Sequence, residues 1–225
     1  VEDPLNTSSM SPTSPSPARQ GGRAEKRWAI IRGARSVFGR EGYSRTSIDA
    51  IATEAGVSTR TIYNHFEGKD QLFSEVLHAS ATQVADSFIE TVEQRVGCTD
   101  LTTDLVALGH AFVAQRTQFP EHFAMIRQIK AEVQHFPAAV IDTWQQAGPM
   151  RVQREVSRRL STLADAGLLR IKEPARATVH FIALVNAEIT IRAYGTAPLT
   201  DAELDVSVTL AVEAFLHGYQ RSNPQ

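Results

Sequence analysis

Apolar residues recur along this chain at three- and four-residue steps, and no stretch keeps the period-two alternation of a half-buried strand. In "RAEKRWAIIRGARSVFGREG" the positions Ile30, Ile31, Ala34, Val37 and Phe38 share one helical face, and Gly42 follows as a stop. "TSIDAIATEAG" repeats the pattern with Ile48, Ile51, Ala52 and Ala55; Thr46 is placed to cap it, with Asp49 reaching back in the manner of a capping box. A short third helix begins after "AGVS". A long fourth runs from about Lys69 to Val96 through Leu72, Val76, Leu77, Val84, Phe88 and Val92. Further helices are predicted over about 100–118, 120–134, 137–166, 174–194 and 200–219, with Pro120, Pro137 and Pro174 where a first-turn proline is tolerated. Gly148-Pro149 should kink or divide the third of these. The pattern is that of an all-α protein of about nine helices.

Residues 1–22, rich in Ser, Pro and Thr, hold too little apolar surface to offset the entropy of ordering and read as a disordered arm. The arm's basic end at Arg19, with the neighbouring Arg23, either touches DNA or belongs to a plain tail. The 225 residues carry a net charge of −2, but unevenly: residues 19–66 hold nine Arg/Lys against four Asp/Glu, a balance of +5, and the remainder is −7. A basic first module on an acidic remainder suggests a polyanionic partner for that module alone. Cys98 is the single cysteine, which excludes an internal disulfide and fits a reducing compartment. The longest apolar runs are too short to span a bilayer, and residues 1–22 lack the order of a secretion signal, so the expectation is a cytoplasmic protein with no membrane partner.

The stretch "VSTRTIYNHFEGKDQL" carries the most informative chemistry. Between two short amphipathic helices, Gly56 can take the left-handed conformation that ends the first, Val57 plugs the corner and Ser58 caps the second, which is the sequence form of a helix-turn-helix. On the second helix Ile62 and Phe66 share a face; Arg60 and Asn64 lie nearly opposite Ile62, flanked by Thr59, Thr61 and Tyr63. Arg can donate twice to guanine and Asn can pair doubly with adenine, while a Tyr hydroxyl reaches phosphate. Thr46 and Ser47, at a helix N-terminus, favour a phosphate oxygen, and Lys69 is placed to close the other flank. Polar residues on a short helix otherwise form only its solvated face; the capped helix, the Gly turn and the local charge favour DNA.

Residues 25–72 resemble the DNA-binding domain of the TetR family of bacterial transcriptional regulators. The resemblance rests on Phe38 with Gly42-Tyr43, Thr46-Ser47, Ile51-Ala52, Ala55-Gly56-Val57-Ser58 and Thr61-Ile62-Tyr63-Asn64-His65-Phe66 followed by Lys69. It implies that Thr46, Tyr63, His65 and Lys69 hold phosphates while Thr59, Arg60 and Asn64 approach bases; His65 packing on the first helix is the equal alternative. Arg60 stands where family members often carry a small residue or Pro, which marks it as a candidate specificity reader. The stretch from Ile126 to Gly195 is similar to the C-terminal domain of AefR-like members, through Glu132, Phe136-Pro137, Gly148-Pro149, Gly167-Leu168-Leu169-Arg170, Pro174, Phe181 and Arg192.

The implied organisation is a helix-turn-helix domain over 23–68 and a helical regulatory and dimerisation domain over 69–225. Val179, Ile182 and Ala183 on the penultimate helix, with Val208, Val212 and Phe215 on the last, are the expected homodimer face; internal packing is the alternative. Phe88, Phe112, Met125, Trp144, Phe181 and Asn186 are candidate walls of a pocket for an unidentified apolar or amphipathic effector; each apolar member suits ordinary core better, and Asn186 suits a dimer-interface amide as well. The histidines lack ligand-like spacing, so neither metal nor cofactor is expected. The function expected is a sequence-specific transcriptional regulator, a repressor released from a palindromic operator by its effector. A sequence-independent architectural DNA binder is the alternative. An all-helical enzyme is a weaker one, lacking any nucleophile–base spacing.

Overall fold

The computed structural model describes residues 17–97, 100–131, 136–192 and 199–219, with side chains from residue 22 onward. Ten helices form among them: α1 (Pro17–Glu41), α2 (Ile48–Ala55), α3 (Thr59–Tyr63), α4 (Lys69–Arg95), α5 (Leu101–Gln118), α6 (Pro120–Ala131), α7 (Ala138–Ala147), α8 (Pro149–Asp165), α9 (Pro174–Arg192) and α10 (Asp201–Tyr219). The count exceeds the expected nine because Gly148-Pro149 divides α7 from α8: the proline has no N–H to continue the ladder but suits the first position of a new helix. α1 starts at Pro17, so residues 17–22, expected in the arm, belong to its first turns. Residues 1–16, Cys98, Glu132 and His135 lie outside the described residues. None of the described helices is long and apolar enough to cross a membrane.

Two hydrophobic cores organise the chain. The first joins Ile30, Ala34, Val37 and Phe38 of α1 to Ile51 of α2, Ile62 of α3, Leu72, Val76 and Leu77 of α4, and Met125, Ile126 and Ile129 of α6. The second gathers Phe88 and Val92 of α4 with Leu105 and Leu108 of α5, Val156 and Leu160 of α8, Phe181 and Val185 of α9, and Val212 and Phe215 of α10. α4 therefore runs through both, and the change of core falls along it rather than at its start. α6, more than 40 residues beyond the turn, packs with the N-terminal helices; Phe136 continues this contact, stacking on Phe73 and tilting against Tyr43 at 5.0 Å each.

Val208, Val212 and Phe215, expected at a subunit interface, are 0–1% exposed and packed inside the protomer. α10 has two apolar faces, and these three lie on the inner one. The outer face of α10 carries Val206, Leu210 and Ala214, all exposed, and α9 exposes Val179, Ala183 and Ala187. Ile182 is only half-buried and turns toward the interior cavity described below.

Candidate nucleic-acid interface and interior cavity

Gly56 ends α2 with φ 65° and ψ 33°, a region where a Cβ would be strained. Its N–H donates to Thr53 O at 3.2 Å, and the Val57 N–H donates to Ala52 O at 3.0 Å, the paired closure of a Schellman turn. Ser58 then caps α3, its Oγ accepting from the Thr61 N–H at 3.2 Å and lying 2.9 Å from Thr61 Oγ1. Ile62 and Phe66 are buried against α1 and α4, and this anchor fixes which way the opposite face points. That face presents Arg60, Tyr63 and Asn64, all exposed, with Thr59 and Thr61 half-buried beside them. None of the Arg60, Tyr63 and Asn64 side chains has a hydrogen-bond partner among the described residues, so their donors and acceptors remain available.

The surrounding charge is sorted in the same sense. Arg27 pairs with Glu75, Arg35 with Glu121 at 2.8 Å, and Arg40 with Glu41 and Glu54 at 3.1 and 3.4 Å. Arg23, Lys26, Arg45 and Arg60 are exposed and have no carboxylate partner among the described residues. His65 is half-buried on the α1 side. Burial first, then the charges of Arg23, Arg27 and Lys26, push its pKa below the ordinary value and keep the ring neutral, which favours the packing role over an ionic phosphate contact.

Two expected phosphate contacts face inward instead. Thr46 is buried and its Oγ1 donates to Gly42 O at 2.6 Å; the cap of α2 is Ser47, whose Oγ accepts from the Ala50 N–H at 3.1 Å. With Ser47 as cap, the third helical position is Ala50, so no capping box forms. Lys69 Nζ donates to Tyr43 O and Thr46 O at 3.1 and 3.2 Å and sits 4.5 Å from the Tyr43 ring centre. The Tyr43 hydroxyl donates to Asp70, and burial, then this bond, raises its pKa to about 12. These contacts fix the 42–47 loop and with it Ser47 and the N-terminus of α2.

A partly open cavity of about 160 Å³, called the interior cavity below, lies where α4, α5, α6, α7, α8 and α9 meet. Phe112, Phe123, Ile126, Trp144, Val152 and Ile182 supply its apolar wall. Gly148 lets the α7–α8 corner approach α4, since a Cβ there would stand 2.9 Å from Ala81 Cβ. Gln115 Nε2 and Trp144 Nε1 are buried on this wall without a hydrogen-bond partner. Arg116 also lines it, donating to Asn186 Oδ1 at 3.1 Å and lying 5.4 Å from the Phe123 ring centre; burial first, then Arg127, lowers its pKa. His122 is bonded through Nδ1 to Ser80 Oγ at 2.8 Å, and burial, then Arg35, brings its pKa down to about 4. A larger groove of about 800 Å³ between α1 and α4, lined by Trp28, Arg32 and Gln83 among others, is an open surface cleft.

Of the six residues expected around a pocket, Phe112 and Trp144 line the cavity and Asn186 reaches it through Arg116. Phe88, Met125 and Phe181 do not line it; they are fully buried core, with Phe88 packed edge-on behind Phe112. Among the described residues no group of three or more His, Cys, Asp or Glu side chains is arranged to hold a metal.

Comparison with known proteins agrees with this arrangement. Residues 30–76 match the family described as bacterial regulatory proteins, tetR family, and residues 103–221, more than half of the chain, match the AefR-like transcriptional repressor C-terminal domain. The chain belongs to the TetR family. This TetR-family protein is 32% identical over 84 residues to the HTH-type transcriptional repressor AcnR of Corynebacterium jeikeium, a stretch covering 35% of the chain and 44% of the relative, less than two thirds of its length. A TetR-family transcriptional regulator of Mesorhizobium loti is similar over 88% of this chain and 98% of its own, with 28% identity and a TM-score of 0.79. The flavonoid-responsive regulator FrrA is similar over 89% and 100%, with 25% identity and a TM-score of 0.67. The family is one of DNA-binding transcriptional regulators, and the exposed α3 face lies within the matched N-terminal segment.

The cavity residues of this TetR-family protein that sequence reasoning missed include Gln115, Arg116, His122, Phe123, Ile126 and Gln153. One signal was present: Gln115-Arg116 follows Leu105, Leu108, Ala111 and Phe112 on one side of α5, and polar groups there need partners.

Proposed function

We propose that this TetR-family protein is a homodimeric, sequence-specific transcriptional repressor that leaves a palindromic operator when a small molecule occupies the interior cavity. The observation that carries the reading is the α3 face, where Arg60 and Asn64 stand exposed and without side-chain partners among the described residues, opposite the buried Ile62 and Phe66. Arg60, Asn64 and Thr59 then read base edges in the major groove. Tyr63, Ser47, Arg45 and the N–H groups opening α2 take phosphates, while Thr46, Lys69 and His65 support the reading head from behind. Ser58 and Thr61 set the start of α3.

The exposed apolar rows on α9 (Val179, Ala183, Ala187) and α10 (Val206, Leu210, Ala214) suit a four-helix interface with a second copy. A two-fold dimer aligns two reading helices with half-sites roughly 34 Å apart. α4 and α6 both carry cavity residues and first-core residues, so an occupant that prefers another setting of these helices weakens DNA binding by the same factor. A reducing cytoplasm suits the DNA target. The responsiveness of FrrA to flavonoids supports an aromatic effector here.

Selection of bound duplexes from a random pool, at stated salt, tests the reading. An enriched palindrome is the expected result; recovery of unenriched sequence would overturn it in favour of sequence-independent binding.

A further inference from the structure

We infer that the interior cavity takes a small arenecarboxylate: a single aromatic ring bearing one anionic acceptor group. This rests on the reading of the cavity as the effector site and specifies what that site selects.

Size comes first. An apolar protein cavity of roughly 150 Å³ admits one benzene, and the space here is about 160 Å³. The space fits one ring, and a larger ligand would have to extend through the partly open side next to Gln153. The wall is correspondingly aromatic, with Phe112, Phe123 and Trp144 contributing ring faces or edges.

Polarity then decides the substituent. Trp144 Nε1 can only donate a hydrogen bond, it is buried, and it has no partner among the described residues; Gln115 Nε2 is a second buried donor in the same condition, on a residue 5% exposed. Arg116 adds a guanidinium whose one bonded oxygen is the neutral amide of Asn186, with no carboxylate paired to it among the described residues. Among the described residues no Asp or Glu lines the cavity. His122, the remaining titratable wall residue, is engaged by Ser80 and neutral. Two buried donors without a partner among the described residues thus share one wall with a cation that has no counter-charge there; the acceptors on the wall are neutral, the amide oxygens of Gln115 and Gln153. Buried polar groups in folded proteins are partnered, and the missing partner here is an anionic acceptor. A carboxylate supplies two oxygens, enough for Trp144 and Gln115 with Arg116 alongside. A cationic ligand would meet the like charge of Arg116 and no carboxylate among the described lining residues.

The full-length protein is titrated calorimetrically with benzoate, benzamide and benzylamine, which share a ring and differ in charge. Benzoate should bind at least about tenfold more tightly than benzamide, and benzylamine should give no binding heat. Trp144→Phe, which keeps the ring and removes the N–H, should weaken benzoate about tenfold, and Arg116→Gln should erase the preference over benzamide. Equal affinity for benzoate and benzamide, or no binding by any of the three to the unmutated protein, overturns the inference. The operator selection separates the two readings: an enriched palindrome without benzoate binding removes the effector class alone, and benzoate binding without an enriched duplex upholds the class while removing the regulator.

Discussion

The ammonium of Lys69 is held by the backbone of the loop that contains Tyr43, with Nζ 3.1 Å from Tyr43 O and 3.2 Å from Thr46 O. It joins the start of α4 to the loop before α2 and covers the Tyr43 ring at 4.5 Å. A lysine spent in this way orders the phosphate-facing end of α2 without itself meeting phosphate.

Lys69→Met keeps the apolar stem and removes the donors. It should cost about 1–3 kcal/mol of stability, since charge-assisted bonds to two carbonyls are lost. DNA affinity should fall on all duplexes alike while the salt dependence stays as in the parent. A direct phosphate contact would instead lower the salt slope by about one unit. Denaturant titration and binding at several salt concentrations distinguish the two roles.

Arg60 is the converse case, exposed and without a partner among the described residues, so its removal should leave the fold intact. Arg60→Ala should relax base preference at one position in each half-site, by roughly 1–3 kcal/mol of discrimination, with Tm unchanged. Comparison of cognate, singly substituted and scrambled duplexes checks it. Equal losses on all three would reassign Arg60 to phosphate.

His122 makes stability depend on pH. Its folded pKa, about 4, lies below the ordinary 6.5, because burial and then Arg35 oppose the charged ring. Between these values the unfolded chain binds the extra proton, so stability rises with pH. The contribution is fully present above pH 6.5, declines as the pH falls, and is gone below about pH 4, a loss of about 3 kcal/mol. His122→Asn keeps an amide near Ser80 and cannot titrate. Its unfolding free energy should therefore be flatter than the parent's across this window.

Much of this was legible in the residues themselves. The 3.6-residue period located the helices, and the Gly56 turn with Ser58 placed the reading helix, because these depend on neighbours in sequence. The N-cap of α2 shows the limit: Thr46 and Ser47 both carry a suitable hydroxyl, and only the return of the chain past Gly42 O commits Thr46 inward. An apolar stripe says that a face is covered, not by what; Val208, Val212 and Phe215 were assigned to a partner when α5 and α9 of the same chain cover them. Gln115, Arg116 and Trp144 line one cavity only because α5 and α7 both pack on α4, an arrangement no local pattern encodes. The same holds for α6, whose Met125 and Ile129 complete a core begun almost a hundred residues earlier at Ile30.

The two faces of α10 yield opposite outcomes when each is changed. Leu210 is 57% exposed and Phe215 is 1% exposed, although five residues apart on one helix. Leu210→Glu places a charge on the face assigned to the second copy, where a paired apolar surface would have to bury it. The protomer should stay folded, with its helical content retained, while sedimentation shows dissociation to monomer. A monomer offers one reading helix to two half-sites, so binding to the palindrome should drop by orders of magnitude while weak half-site binding survives. Phe215→Ala should instead cost about 3–5 kcal/mol by opening a cavity against Phe181, seen as a large fall in unfolding midpoint. A Leu210→Glu protein that sediments as the parent does would remove the outer face of α10 from the interface.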